Sequence, residues 1–123
     1  MAADQFTVSD LTDDERYVLF RGLAEWGGPA HCPDALADAM DFTSAVVLLE
    51  EAQRLKPLIR DGQSLNRRAW RRALIATEIV FASDVFGAGS DWSITTGISD
   101  EDTVRILRSL HRKIARAVRI HQP

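Results

Sequence analysis

The chain is short of the residues that staple or anchor small exported domains. Of its 123 residues only Cys32 is a cysteine, so no internal disulfide and no multi-cysteine metal site can form. The opening stretch MAADQFTVSD has neither a basic n-region nor an apolar h-region, and no signal peptide is expected there. Apolar runs are broken by charges well before the ~20 residues that a membrane-spanning helix needs. There is no Walker loop, no Gly-x-Ser-x-Gly elbow and no dinucleotide fingerprint. These absences make the cytoplasm the expected location. They leave no catalytic constellation, so the protein is expected to be non-enzymatic, with no cofactor, no bound metal and no membrane partner.

What remains is the composition of a globular protein, 46% hydrophobic and 27% charged, in a length that suits one domain over residues 1–123. Helix signals recur along it. Thr12-Asp13-Asp14-Glu15 reads as a capping box, after which Tyr17, Phe20, Leu23 and Ala24 repeat at helical spacing up to Gly27-Gly28. Residues 1–10, ahead of the box, are expected to be loosely ordered. Pro33 and Asp34 suit the first turn of a short helix ending near Met40. Thr43 or Ser44 can cap the next, where Ala45, Leu48, Ala52, Leu55 and Ile59 share a face and Pro57 predicts a kink or an early end. Ser64 is the expected start of a fourth long segment reaching about Asp84, and Ser99, followed by three acids, caps a last one over 100–120. Strand signals are thin. The expectation is an all-α fold, an irregular bundle of four longer helices plus one short helix.

Charge is distributed unevenly. Residues 1–53 hold eleven acids against Arg16 and Arg21, a net of −9, whereas residues 54–123 hold thirteen bases against seven acids, a net of +6. The halves are expected to pack together and neutralise each other; the competing reading is a basic surface for an anionic partner. The basic groups cluster on two helices. In 64–84, Arg67, Arg68, Arg71 and Arg72 form a patch, followed by ALIATEIVFA, apolar nearly all round, which predicts a helix at the centre of the bundle. The exception there is Glu78, whose helical neighbours Leu74, Ile75, Phe81 and Ala82 cannot pair with it. It needs solvent, a proton, or a group from another helix, with Arg54, Lys56, Arg105 and Tyr17 as candidates. In 100–120, Arg105, Arg108, Arg112, Arg116 and Arg119 fall within roughly 80° of the helix surface at about 100° per residue. This stripe is a solvated face, a set of phosphate contacts or a surface for an acidic protein.

Two other features are candidates for function. His31-Cys32-Pro33-Asp34 with Asp38 is the only cluster resembling metal ligands, and it lacks the four spaced donors of a zinc site. The connection from Phe86 to Ile98 is long for a bundle loop. Its Trp92 and Ile94 predict a cap packed over the bundle end, and the competing reading presents Asp91 and Trp92 to a partner. The leading functional expectation is a protein-interaction or regulatory module that uses the charged helical surface and the 86–98 loop, its partner another protein or a second copy of the chain. The alternative is nucleic-acid binding through helices 64–84 and 100–120. A small helical enzyme built on Glu78 ranks third.

Overall fold

A computed structural model describes residues 4–27, 31–83 and 91–121. Six helices and one short strand pair lie among them: β1 (Gln5–Phe6), α1 (Asp13–Trp26), α2 (Asp34–Ala39), α3 (Ala45–Arg60), β2 (Leu65–Asn66), α4 (Arg67–Ala82), α5 (Trp92–Thr96) and α6 (Asp100–Ile120). The fold is all-α, with four long helices packed as a bundle and two short ones. Each long helix begins on a side chain that satisfies one of the amides left open at a helix start. Thr12 and Glu15 form the reciprocal capping box of α1, with bonds of 3.1 and 2.8 Å. Ser44 accepts from the Val47 amide, Asn66 from Ala69 and Ser99 from Asp102.

The central helix is α1, not α4. It packs on α3, α4 and α6, and so it buries a broad face of Val18, Leu19, Gly22, Leu23 and Trp26. Tyr17 lies on the exposed side and Phe20 is half-buried, so the apolar repeat expected for this segment is rotated away from the face that forms the core. The helix approaches α4 closely. A Cβ added at Gly22 would lie 2.4 Å from Oγ1 of Thr77, and one turn on, the buried Trp26 indole donates to the Ala76 carbonyl at 3.0 Å. Thr77 itself is fully buried and donates back to Ala73.

Two other expectations change. Residues 4–10 are packed: Phe6, Val8 and Leu11 are buried, Gln5–Phe6 pairs antiparallel with Leu65–Asn66, and the Trp70 indole donates to the Phe6 carbonyl at 3.0 Å. That strand pair draws Ser64 and Leu65 out of the fourth helix. Ser64 instead lies 2.9 Å from the Thr7 hydroxyl, and Asn66 takes over as cap. Of the two outcomes expected at Pro57, the early end does not occur: α3 runs to Arg60, with Asp61 as its C-cap. Pro57 is exposed and one turn from the end, so only its own bond to Gln53 is forgone. The far end of the expected fourth helix, at Asp84, lies outside the described residues.

The last helix is fastened through a buried carboxylate. Lys113 of α6 donates to Glu15 at 2.7 Å and to the Asp10 carbonyl at 2.8 Å. Burial alone would raise the Glu15 carboxyl. Hydrogen bonds from Lys113, Ser109 and the Thr12 amide, with the Lys113 charge, hold it below the ordinary glutamate range.

Two tests follow from this packing. Gly22→Ala forces the α1–α4 contact apart and is expected to cost about 1–3 kcal/mol, despite the better helix propensity of alanine. Thr77→Ala should recover most of that loss in the double variant; additive losses in chemical denaturation would show that the contact does not limit the packing. Because the folded pKa of Glu15 lies below the unfolded value of about 4.3, its pair with Lys113 stabilises fully above that value and fades as pH falls toward the folded pKa. Glu15→Gln should therefore cost about 1–3 kcal/mol at neutral pH and flatten the acid-side decline in Tm, measured by thermal melts from neutral to acidic pH. An acid limb as steep as in the parent would contradict this assignment.

Candidate functional site

The acidic and basic halves of the chain do meet. Asp41, at the turn between α2 and α3, has a left-handed backbone with φ of 73°, tolerable for a short polar residue. Its carboxylate takes both arms of Arg68 at 2.9 and 3.0 Å, and its carbonyl takes Nε of Arg72 at 2.7 Å. Arg72 is only 12% exposed. It also reaches Glu51 and stacks over Phe42, 4.9 Å from the ring centre. Beside it Arg54 binds Glu51 with two bonds of 3.1 Å. The hydrogen bonds from Arg68 and Arg54 hold the Asp41 and Glu51 carboxyls, respectively, below their usual ranges. Of the basic patch 67–72, then, Arg68 and Arg72 are structural ties. Among the described residues Arg67 is half-buried with an unpartnered Nε, and Arg71 is exposed and forms no ion pair, its charge acting on Asp41 only from a distance.

The α6 stripe divides in the same way. Arg105 pairs with Asp102 one turn back, and Arg116 leans toward Asp10 at 3.9 Å. Arg108, Arg112 and Arg119 are exposed, with no acidic partner among the described residues. These three, with Arg71 of α4, border the seam between α4 and α6. Two adjoining cavities of about 630 and 580 Å³ open there. The floor of the first is Leu74, Ile75, Ile114 and Val118. That of the second is Phe81, Ala82, Val104 and Leu107. The two share Glu78, His111 and Arg112. Together they form a groove with an apolar floor and an arginine rim. The apolar run in α4 has two tasks: Ala73, Leu74, Ala76, Thr77 and Val80 enter the core, while the half-buried Ile75 and Phe81 line the groove.

Glu78 stands in the middle of this groove, 38% exposed. Its partner is none of the four candidates named from the sequence but His111 of α6, whose Nδ1 lies 3.4 Å away. The acids that are buried are Glu15 and Glu25 of α1; Glu25 is held by Arg21 at 3.0 Å with its other oxygen unpartnered among the described residues. The signal for Glu25 was local: an arginine four residues earlier on the same helix.

The 86–98 connection is described from Asp91 onward; residues 86–90 lie outside the described residues. Trp92 is fully buried, so it cannot serve as an exposed contact. Its indole donates to Thr103 of α6 at 2.9 Å, and its ring meets Phe81 edge-on at 5.6 Å. Tyr17 of α1 donates to the Thr96 carbonyl at 2.9 Å. The short helix α5 therefore caps the bundle, leaving Asp91 and the 80%-exposed Ile94 outside. His31 and Asp38 are exposed, and Asp34 accepts from the Ala45 amide at 2.9 Å, joining α2 to the start of α3. Burial, with the nearby Asp34 charge, raises the Cys32 thiol, the opposite of an activated nucleophile. Among the described residues no three His, Cys, Asp or Glu side chains come together as metal ligands, and no helix is long and apolar enough to cross a membrane.

No protein-family model, curated protein or solved structure matches this chain.

The two classes of arginine can be separated by stability. Arg108→Ala, Arg112→Ala and Arg119→Ala should each change stability by no more than about 0.5 kcal/mol, as exposed unpaired side chains do. Arg72→Ala strips Asp41 and Glu51 of a mostly buried partner and should cost about 1–3 kcal/mol. Equal losses across the four variants in urea titrations would contradict the division.

Proposed function

We propose that this protein is a non-enzymatic interaction module that binds an acidic segment of another protein at the arginine-rimmed seam of α4 and α6. The observation that supports the reading is selective neutralisation. The chain supplies acids for Arg54, Arg68, Arg72 and Lys113, yet among the described residues Arg71, Arg108, Arg112 and Arg119 form no ion pair around one apolar floor. Guanidinium groups of like sign gathered at one surface raise the local potential and favour an anionic partner. Guanidinium forks suit phosphate as well as carboxylate, which keeps nucleic acid as the rival reading. The floor favours protein: phosphate contacts need no apolar strip, and among the described residues no exposed Phe, Tyr or Trp ring lines the groove for bases to stack on.

Labelled polyglutamate of about 15 residues and a duplex DNA of similar charge can be titrated side by side at about 50 mM salt, with anisotropy as the readout. The expected result is polyglutamate binding that is lost in the combined Arg108→Glu, Arg112→Glu and Arg119→Glu variant at unchanged helical signal. Arg60→Glu on α3 should leave it unaltered. Tighter binding of the duplex would favour the nucleic-acid reading, and failure of both probes to bind would remove the arginine rim as an interaction surface.

A further inference from the structure

The groove has a length, a floor and a charge order, and together these restrict what can occupy it. On α6 it runs from Val104 to Arg119, about 22 Å at 1.5 Å per residue. The α4 residues facing its two halves descend from Ala82 to Arg71 as those of α6 ascend, so the two helices are antiparallel walls. An apolar channel between two helices, open along several turns, is what a third helix covers when its side chains interlock with theirs. A compact small molecule would fill one half and leave the other wet.

The charge order is not uniform. Arg71, Arg116 and Arg119 border one half and Arg108 the other, while Arg112 stands at the junction. Glu78, the single acid of the lining among the described residues, lies at that junction as well. Its contact with His111, at 3.4 Å, is longer than an ordinary hydrogen bond, so its carboxylate still has room for a donor. An occupant that is acidic throughout would set like charges against Glu78 where the groove floor is apolar and screening is weak.

We infer that the groove binds one amphipathic helix of a partner protein with acids toward both ends and a basic or amide side chain at its midpoint, opposite Glu78. This rests on the reading that the arginine rim recognises an acidic protein segment, and it adds the conformation and the register. The acid–base–acid order is the same read in either direction, so it does not depend on which way the helix lies.

The test uses three labelled helix-favouring peptides of about 15 residues, each with an apolar stripe and glutamates in its first and last turns. They differ only in the midpoint residue beside the stripe: Lys, Gln or Glu. The expected order of affinity is Lys, then Gln, then Glu, with about tenfold between the extremes. Attraction to the arginine rim alone gives the reverse order, because the Lys peptide carries the least negative charge. Glu78→Gln should bring the Lys and Glu peptides to within about twofold of each other, and His111→Ala, which frees the Glu78 carboxylate, should widen the gap. Circular dichroism and melting of both variants show that they are folded. Equal affinities for the unaltered protein, or a preference for Lys that survives Glu78→Gln, would overturn the register. If polyglutamate binds as tightly as every helical peptide, the helical occupant is overturned while the acidic-partner reading stands. If neither kind of peptide binds, both fall.

Discussion

Gly22 of α1 and Thr77 of α4 lie so close that a single methyl group could not be placed between them, and the rest of the bundle is arranged around that contact. A close helix crossing brings backbone to backbone, which places the Ala76 carbonyl within reach of the Trp26 indole. With one side of α1 committed to α4, its remaining sides are covered by α3 and α6. The other two tryptophans extend the same device. Trp70 holds the N-terminal strand against α4, and Trp92 holds the α5 cap against α6. Each buried ring contributes apolar area, and each satisfies its one polar atom on a different element. The tryptophans act as ties between segments that are distant in the chain.

Electrostatics follows from this arrangement. Packing α1 against α6 brings Glu15 to Lys113, and packing the α2–α3 turn against α4 brings Asp41 to Arg68 and Arg72. The opposite charges of the two halves are therefore used mostly at the seams that involve α1 to α3. The α4–α6 seam joins two segments from the basic half, and among the described residues its lining contains one acid. The unpaired arginines thus sit where two basic helices meet around Glu78 alone among the described acids, a consequence of topology as much as of composition.

How much of this was legible in the sequence depended on the range of the interaction. Caps and faces set within a turn or two were readable: Thr12 with Glu15, Ser44, Ser99, the Leu48–Ile59 face of α3 and the extent of α6. Features decided by distant residues were not. Ser64 looks like a cap until Gln5–Phe6 pairs with the two residues after it. The core face of α1 is displaced because three helices cover it, whereas a stripe of apolar residues suggests one. Glu78 looks stranded within its own helix and meets His111 only through the antiparallel placement of α6. The stripe arginines are alike in sequence. Only the packing separates Arg105 and Arg116, which face acids, from Arg108, Arg112 and Arg119, which do not.

The rigidity of the groove bears on how it could discriminate. Its α6 wall is fixed from behind by the Lys113–Glu15 pair and by Leu107, Leu110 and Ile114 in the core. Its α4 wall is fixed by the crossing at Gly22 and Thr77. Opening the groove to relieve a misplaced charge would break these contacts, so an occupant with the wrong group at the midpoint would leave Glu78 facing it. The rim is different: long exposed arginine side chains can follow carboxylates over a range of positions, and replacing one leaves the others in place. Affinity should therefore be spread over the rim, while selectivity is concentrated at the one acidic position in the groove.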